Sequence, residues 1–185
     1  MTSRESLAGW YRNRFVWVAV ILLATTAGAT ALLRSDDSDD LQTQIMTRMR
    51  TTLEQSGPGQ HNHSGHTTEQ GAKAAVTCGV RVYGYEPTEV SALAEVRKVY
   101  GFHLCGVAEQ KSPWDVAVKL AGPVILDMST EPPGIQVVEA TAEVKYVDRL
   151  RELFPPKYAE MAQKEALAES EMADLRRRYE AAAGL

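Results

Sequence analysis

Phe15–Leu33, FVWVAVILLATTAGATALL, runs for 19 residues without a charge and sets what the rest of the chain can be. As a helix it reaches roughly 28 Å, about the thickness of a bilayer's hydrocarbon core. Arg12 and Arg14 precede it, and Arg34, Asp36, Asp37, Asp39 and Asp40 come after it. The run divides the chain into a tail (1–14), a transmembrane helix (15–33) and cargo carried across the membrane.

The tail holds Arg4, Arg12 and Arg14 against the single acid Glu5. Positive flanks stay in the cytoplasm, so the N-terminus is expected inside and the C-terminal domain outside. Trp10, Tyr11 and Trp17 fall at the inner headgroup level, where amphipathic rings are favoured. The rival reading is a cleaved signal peptide with a hydrophobic region at Phe15–Ala24. Ala27-Gly28-Ala29 or Ala29-Thr30-Ala31 would then be the cleavage triplet, giving a secreted form. Because the run stays apolar through Leu33, an uncleaved single-pass anchor is the expectation.

Cys78 and Cys105 are the two cysteines, both in the exported part. An even count in an oxidising compartment points to one disulfide, with two buried thiols as the alternative. Residues 75–185 carry 13 Lys or Arg against 17 Asp or Glu. With no concentrated basic surface, nucleic-acid binding is not expected.

Residues 34–74 read as an extracytoplasmic stalk and flexible linker. Leu41, Ile45, Met49 and Leu53 recur at four-residue steps, an amphipathic helix over Leu41–Glu54 with no apolar partner nearby in the sequence. Gln55–Gly71 is Gly-, Ser-, Gln- and His-rich and too polar to bury a core. Its His61, His63 and His66 are candidate metal ligands, but no carboxylate or cysteine at ligand spacing completes a site. No cofactor is expected.

Residues 75–154 read as an α+β domain. Val76, Cys78, Val80 and Val82 alternate with Thr77, Gly79, Arg81 and Tyr83 as in a half-buried strand. Glu89–Tyr100 reads as a helix with Val90, Leu93, Val96 and Tyr100 inward and Gly101 as its stop. Strands are expected at Phe102–Ala108, Trp114–Leu120, Val124–Met128 and Ile135–Ala140. The second and third of these could be halves of one bent strand through Ala121-Gly122-Pro123. The expected fold is thus a small antiparallel sheet with one packed helix, strand-helix-three or four strands. In outline alone it is similar to cystatin-like and related helix-on-sheet folds, and no inhibitor motif accompanies the likeness. Val144–Phe154 comes next as a short helix. Residues 155–185 then form a long C-terminal helix, Lys157–Ala183, with a weak heptad seam of Tyr158, Met161, Ala168, Met172, Leu175 and Tyr179. The expectation is a single amphipathic helix packed on its own domain or projecting into solvent, with a coiled coil or weak self-association as the alternative.

Chemistry is thinly signalled. His103 and Cys105 share a strand face and could pair as base and nucleophile, as in a cysteine-dependent hydrolase. Asp115, Asp127, Glu131 and Glu139 could supply a glycosidase-like carboxylate pair. No phosphate loop, H-E-x-x-H, G-x-S-x-G or C-x-x-C is present. The expected function is therefore not enzymatic: a membrane-anchored interaction module, structural or regulatory, that engages a protein partner. Tyr83, Tyr85 and Trp114 are its candidate contacts. The alternative is a small-molecule or metal sensor or carrier, with a pocket between helix 89–100 and the sheet.

Overall fold

A computed structural model describes residues 39–56 and 74–185. The apolar run 15–33, its cleavage triplets and His61, His63 and His66 lie outside the described residues. Among the described residues no helix is long and apolar enough to cross a membrane.

Four strands make one antiparallel meander in the order β1-β2-β3-β4: β1 Ala75–Glu86, β2 Lys98–Ala108, β3 Lys119–Asp127 and β4 Gly134–Val137. The α+β class stands, but three elements differ from the sequence reading. The helix expected over 89–100 does not form. Leu93–Glu95 is a single 3₁₀ turn, and the chain is already strand from Lys98. β2 is a central strand, paired to β1 on one side and β3 on the other, so Val99 and Tyr100 are buried on opposite faces. Such a strand shows no polar alternation, and its apolar positions mimic a helical stripe.

Trp114–Leu120 is likewise not a strand throughout. Trp114–Val116 is a 3₁₀ turn, and pairing starts at Lys119. From there the bent-strand alternative applies, since β3 passes unbroken through Gly122 and Pro123. Gly122 adopts φ +155°, open to glycine and rarely to other residues. The last strand stops at Val137 rather than Ala140.

Both faces of the sheet are covered. Residues 39–55 form α1, and Leu41, Ile45, Met49 and Leu53 pack with Cys78, Val80, Val99, Cys105, Val124 and Leu126 in one core. The stripe expected to be a stalk without a partner is therefore the cover of the sheet's first face. Ile45, Met49 and Leu53 are wholly buried there. The polar stretch between α1 and β1 joins two elements of one core, so it is an internal connection and not a spacer ahead of the domain.

The second face carries α2 Tyr146–Leu153, α3 Pro156–Lys164 and α4 Glu169–Ala183. Leu150, Phe154, Tyr158 and Ala159 pack on Tyr83, Tyr100, Ile125 and Val138, while Leu175, Tyr179 and Ala183 pack on Ala108 and Trp114. β1 bulges between Val82 and Gly84, and a side chain at Gly84 would run into the Tyr158 ring. Only glycine lets α3 come this close.

The single helix expected over 157–183 is broken at 165–168. The sheet captures the break. The Tyr83 hydroxyl donates to the Glu165 carbonyl, Arg81 pairs with the Glu165 and Glu171 carboxylates at 3.6 and 2.8 Å, and the Ala168 N–H donates to Glu171 as α4 begins. Seam residues Tyr158, Leu175 and Tyr179 are buried against the domain's own sheet.

Candidate functional site

Cys78 and Cys105 face each other directly across β1 and β2 and are joined in a disulfide with Cα atoms 4.0 Å apart. Both are wholly buried under α1. With 27 residues of sequence separation, the closed loop stabilises the domain by about 3.5 kcal/mol in the chain-entropy model. The sulfur considered as a nucleophile is thus bonded to another sulfur. His103 lies on the same face, also wholly buried, with Nδ1 2.9 Å from the Gly122 carbonyl oxygen. This pair is part of the core.

Of the four candidate carboxylates, Asp115 and Asp127 lie too far apart to act as a pair. Asp115 precedes β3 and Asp127 ends it, and nine strand residues span roughly 26 Å, far beyond the 5–9.5 Å that glycoside hydrolysis uses. Asp115 is exposed and pairs with Arg176 at 3.2 Å. Asp127 accepts from the Ser129 N–H and hydroxyl, which hold it below the usual carboxylate range. Glu131 sits in the exposed β3–β4 turn, and Glu139 comes after β4. Among the described residues no group of three His, Cys, Asp or Glu could hold a metal ion.

The aromatic candidates for partner contact are mostly core. Tyr83 and Trp114 are buried, and Tyr85 packs against the α1 core. A shallow open depression lined by Arg151, Pro156, Ala159, Glu160 and Gln163 lies along α2 and α3. Glu160 there is held low by Lys164, its hydrogen-bond partner.

The two edges of the sheet differ. On the outer edge of β1, the Glu54 carboxylate accepts from the Cys78 N–H at 2.9 Å, and Arg178 donates to the Cys78 carbonyl at 2.8 Å. Arg178 also reaches Glu54 at 3.1 Å and Asp174 at 2.8 Å. A side chain from each face thus meets around the strand and occupies the outward N–H and C=O of Cys78. Nothing in the sequence marks this clasp, since Glu54 and Arg178 stand 124 residues apart.

On the opposite side, β4 pairs only with Val124–Asp127, so the first half of β3, paired to β2 on its inner side, has no strand on its outer side among the described residues. The large apolar side chains most exposed in the domain lie in or beside the segment leading into it. Val116 and Val118 are 73% and 59% exposed. Leu185, 60% exposed, is tied nearby, because the Lys111 N–H of the β2–β3 loop donates to the Ala183 carbonyl. No family model, curated protein or solved structure matches the chain. What the described residues offer at this end of the sheet is an open strand edge with exposed valines leading into it.

Proposed function

We propose that the protein is a single-pass membrane-anchored module whose disulfide-bridged domain stands outside the cytoplasm and engages a protein partner, as a structural or regulatory component and not as an enzyme. The observation that carries this reading is the pairing of an uncharged 19-residue run with a buried disulfide downstream of it. Disulfides persist in oxidising compartments, and the run supplies both export and anchorage. Arg12 and Arg14 before the run support an inward N-terminus. The exposed valines and Leu185 support contact with another protein surface.

The core placement of α1 bears on how the domain is held. Only residues 34–40 lie between the apolar run and Leu41, the first buried residue. Residues 57–73 add no reach, because both their flanking elements share one core. The tether in this reading is short.

Protease treatment of intact cells carrying the full chain with a C-terminal epitope tag tests the proposal, combined with thiol alkylation before and after reduction. Expected are a membrane-bound product, loss of the tag to external protease, and alkylation only after reduction. A released product lacking about the first 30 residues would favour the secreted form. Free thiols on a protected domain would overturn the export reading.

A further inference from the structure

We propose that α4 is an exchangeable arm, which two copies of the chain trade to form a domain-swapped dimer by straightening residues 165–168. The segment from Lys157 to Ala183 holds no Gly, Pro or β-branched residue, and Glu165-Ala166-Leu167-Ala168 are themselves good helix formers. The bend between α3 and α4 therefore has no cause in its own sequence. The break between α2 and α3 differs, because Pro155-Pro156 writes it into the chain. Contact with the sheet holds the bend: the Tyr83 hydroxyl donates to the Glu165 carbonyl, Arg81 pairs with the Glu165 carboxylate, and Leu167 lies over Gly79.

Both ends of the junction are extended, Glu165 at ψ 121° and Ala168 at ψ 164°. A continuous helix needs ψ near −42° at each. Those rotations re-aim α4 relative to α3, so a straight 156–183 helix of roughly 42 Å cannot keep both parts seated on one sheet. With Tyr158 and Ala159 of α3 buried against Tyr83 and Tyr100, α4 is the part that leaves.

The seat that α4 vacates selects its next occupant. Leu175, Tyr179 and Ala183 are buried there with Ala108 and Trp114, and the Tyr179 ring stands edge-on to Trp114 with centroids 5.1 Å apart. Arg178 adds its bonds to Glu54 and to the Cys78 carbonyl. Another α4 makes all of these contacts at once. The α4 of a second copy therefore fills the seat, and its own seat is filled in return, a closed two-fold exchange. The dimer keeps these contacts and the Arg81–Glu171 pair, and it adds helical hydrogen bonds through 165–168. It gives up the Tyr83–Glu165 bond and the Leu167 contact at each of its two junctions.

The exchange does not rest on the membrane reading and is tested on full chains purified in mild detergent. Asp115 and Arg176 pair at 3.2 Å between the β2–β3 connection and α4, and both are exposed. Two differently tagged chains are made in the same cells, one carrying Asp115→Cys and the other Arg176→Cys. A short bis-maleimide should join them, because the swap sets the two positions side by side across copies. Cys78 and Cys105 are bonded to each other and do not react. By sedimentation equilibrium, Tyr83→Phe should strengthen the dimer about tenfold, since the lost hydrogen bond counts once per junction. Ala166→Pro should weaken it by roughly tenfold or more with an unchanged melting temperature. Glu165 already has the extended backbone that precedes a proline, the Ala166 N–H donates to no described group, and a proline there bars the straight helix. A monomer at every concentration, in Tyr83→Phe as in the parent, overturns the proposal. A dimer without the 115–176 link, or one equally strong with Ala166→Pro, also overturns it.

Discussion

Arg178 is the residue on which most distant parts of the domain meet. Its guanidinium holds Glu54 of α1, Asp174 of α4 and the Cys78 carbonyl of β1 together. It keeps Asp174 below the usual carboxylate range, first by hydrogen bonding and then by charge. Arg178→Met should cost about 2 kcal/mol, the scale of charge-assisted hydrogen bonds in partly buried positions. Combined with Glu54→Gln it should cost less than the two single changes together, because they share one network. Urea unfolding of the four proteins measures this, and strict additivity would show that the contacts are independent. Tyr83 makes a second residue-scale case. Burial first, and then Glu165, pushes its phenol up to about 12. Tyr100 is pushed up to about 12 by burial and by its hydrogen bond to Glu86. An unfolded tyrosine ionises near 10. Both contributions are therefore complete below pH 10 and are lost as pH rises from 10 through 12. Tyr83→Phe should lose less stability than the parent between pH 9 and pH 11. Equal losses in urea midpoint would mean that the phenol does not feel its site.

At the scale of elements, α1 and the connection behind it carry the main revision. The four-residue stripe Leu41-Ile45-Met49-Leu53 is legible as a helix, but the face it covers is not, because that face is assembled from β1, β2 and β3 far along the chain. The break at 165–168 is hidden for the opposite reason. Glu165-Ala166-Leu167-Ala168 favours a helix locally, and contacts from Arg81 and Tyr83 override that preference. Val90, Leu93 and Val96 have helical spacing yet pack on the α1 core from a loop and a 3₁₀ turn. In each case the periodicity is real, and what a linear sequence does not display is the tertiary partner. One consequence can be measured. Replacing residues 57–73 with eight Gly and Ser residues should shift stability by about 0.6 kcal/mol, the change in closure entropy for a connection of half the length. A chain starting after residue 55 should not fold, because β1, β2 and β3 would then expose the apolar face that α1 covers. Circular dichroism melts of both variants check this. A loop replacement that unfolds the domain would show that the segment belongs to the core.

For the whole molecule, the α+β class and the Cys78–Cys105 bridge are open to inference from alternation and from cysteine count. The candidate contact surface is not. Val116 and Val118 alternate with Asp115 and Ala117 as a strand would, and only the 3₁₀ turn at Trp114–Val116 turns that pattern outward. The arrangement also sets an order of events as the chain is made. Cys78 emerges 100 residues ahead of the arginine that caps its carbonyl. Until α4 is complete, the Cys78 carbonyl on the outer side of β1 lacks its Arg178 donor and is open to the N–H of an extended segment beside it. α4 thus closes a point of the edge that the earlier-made elements leave open.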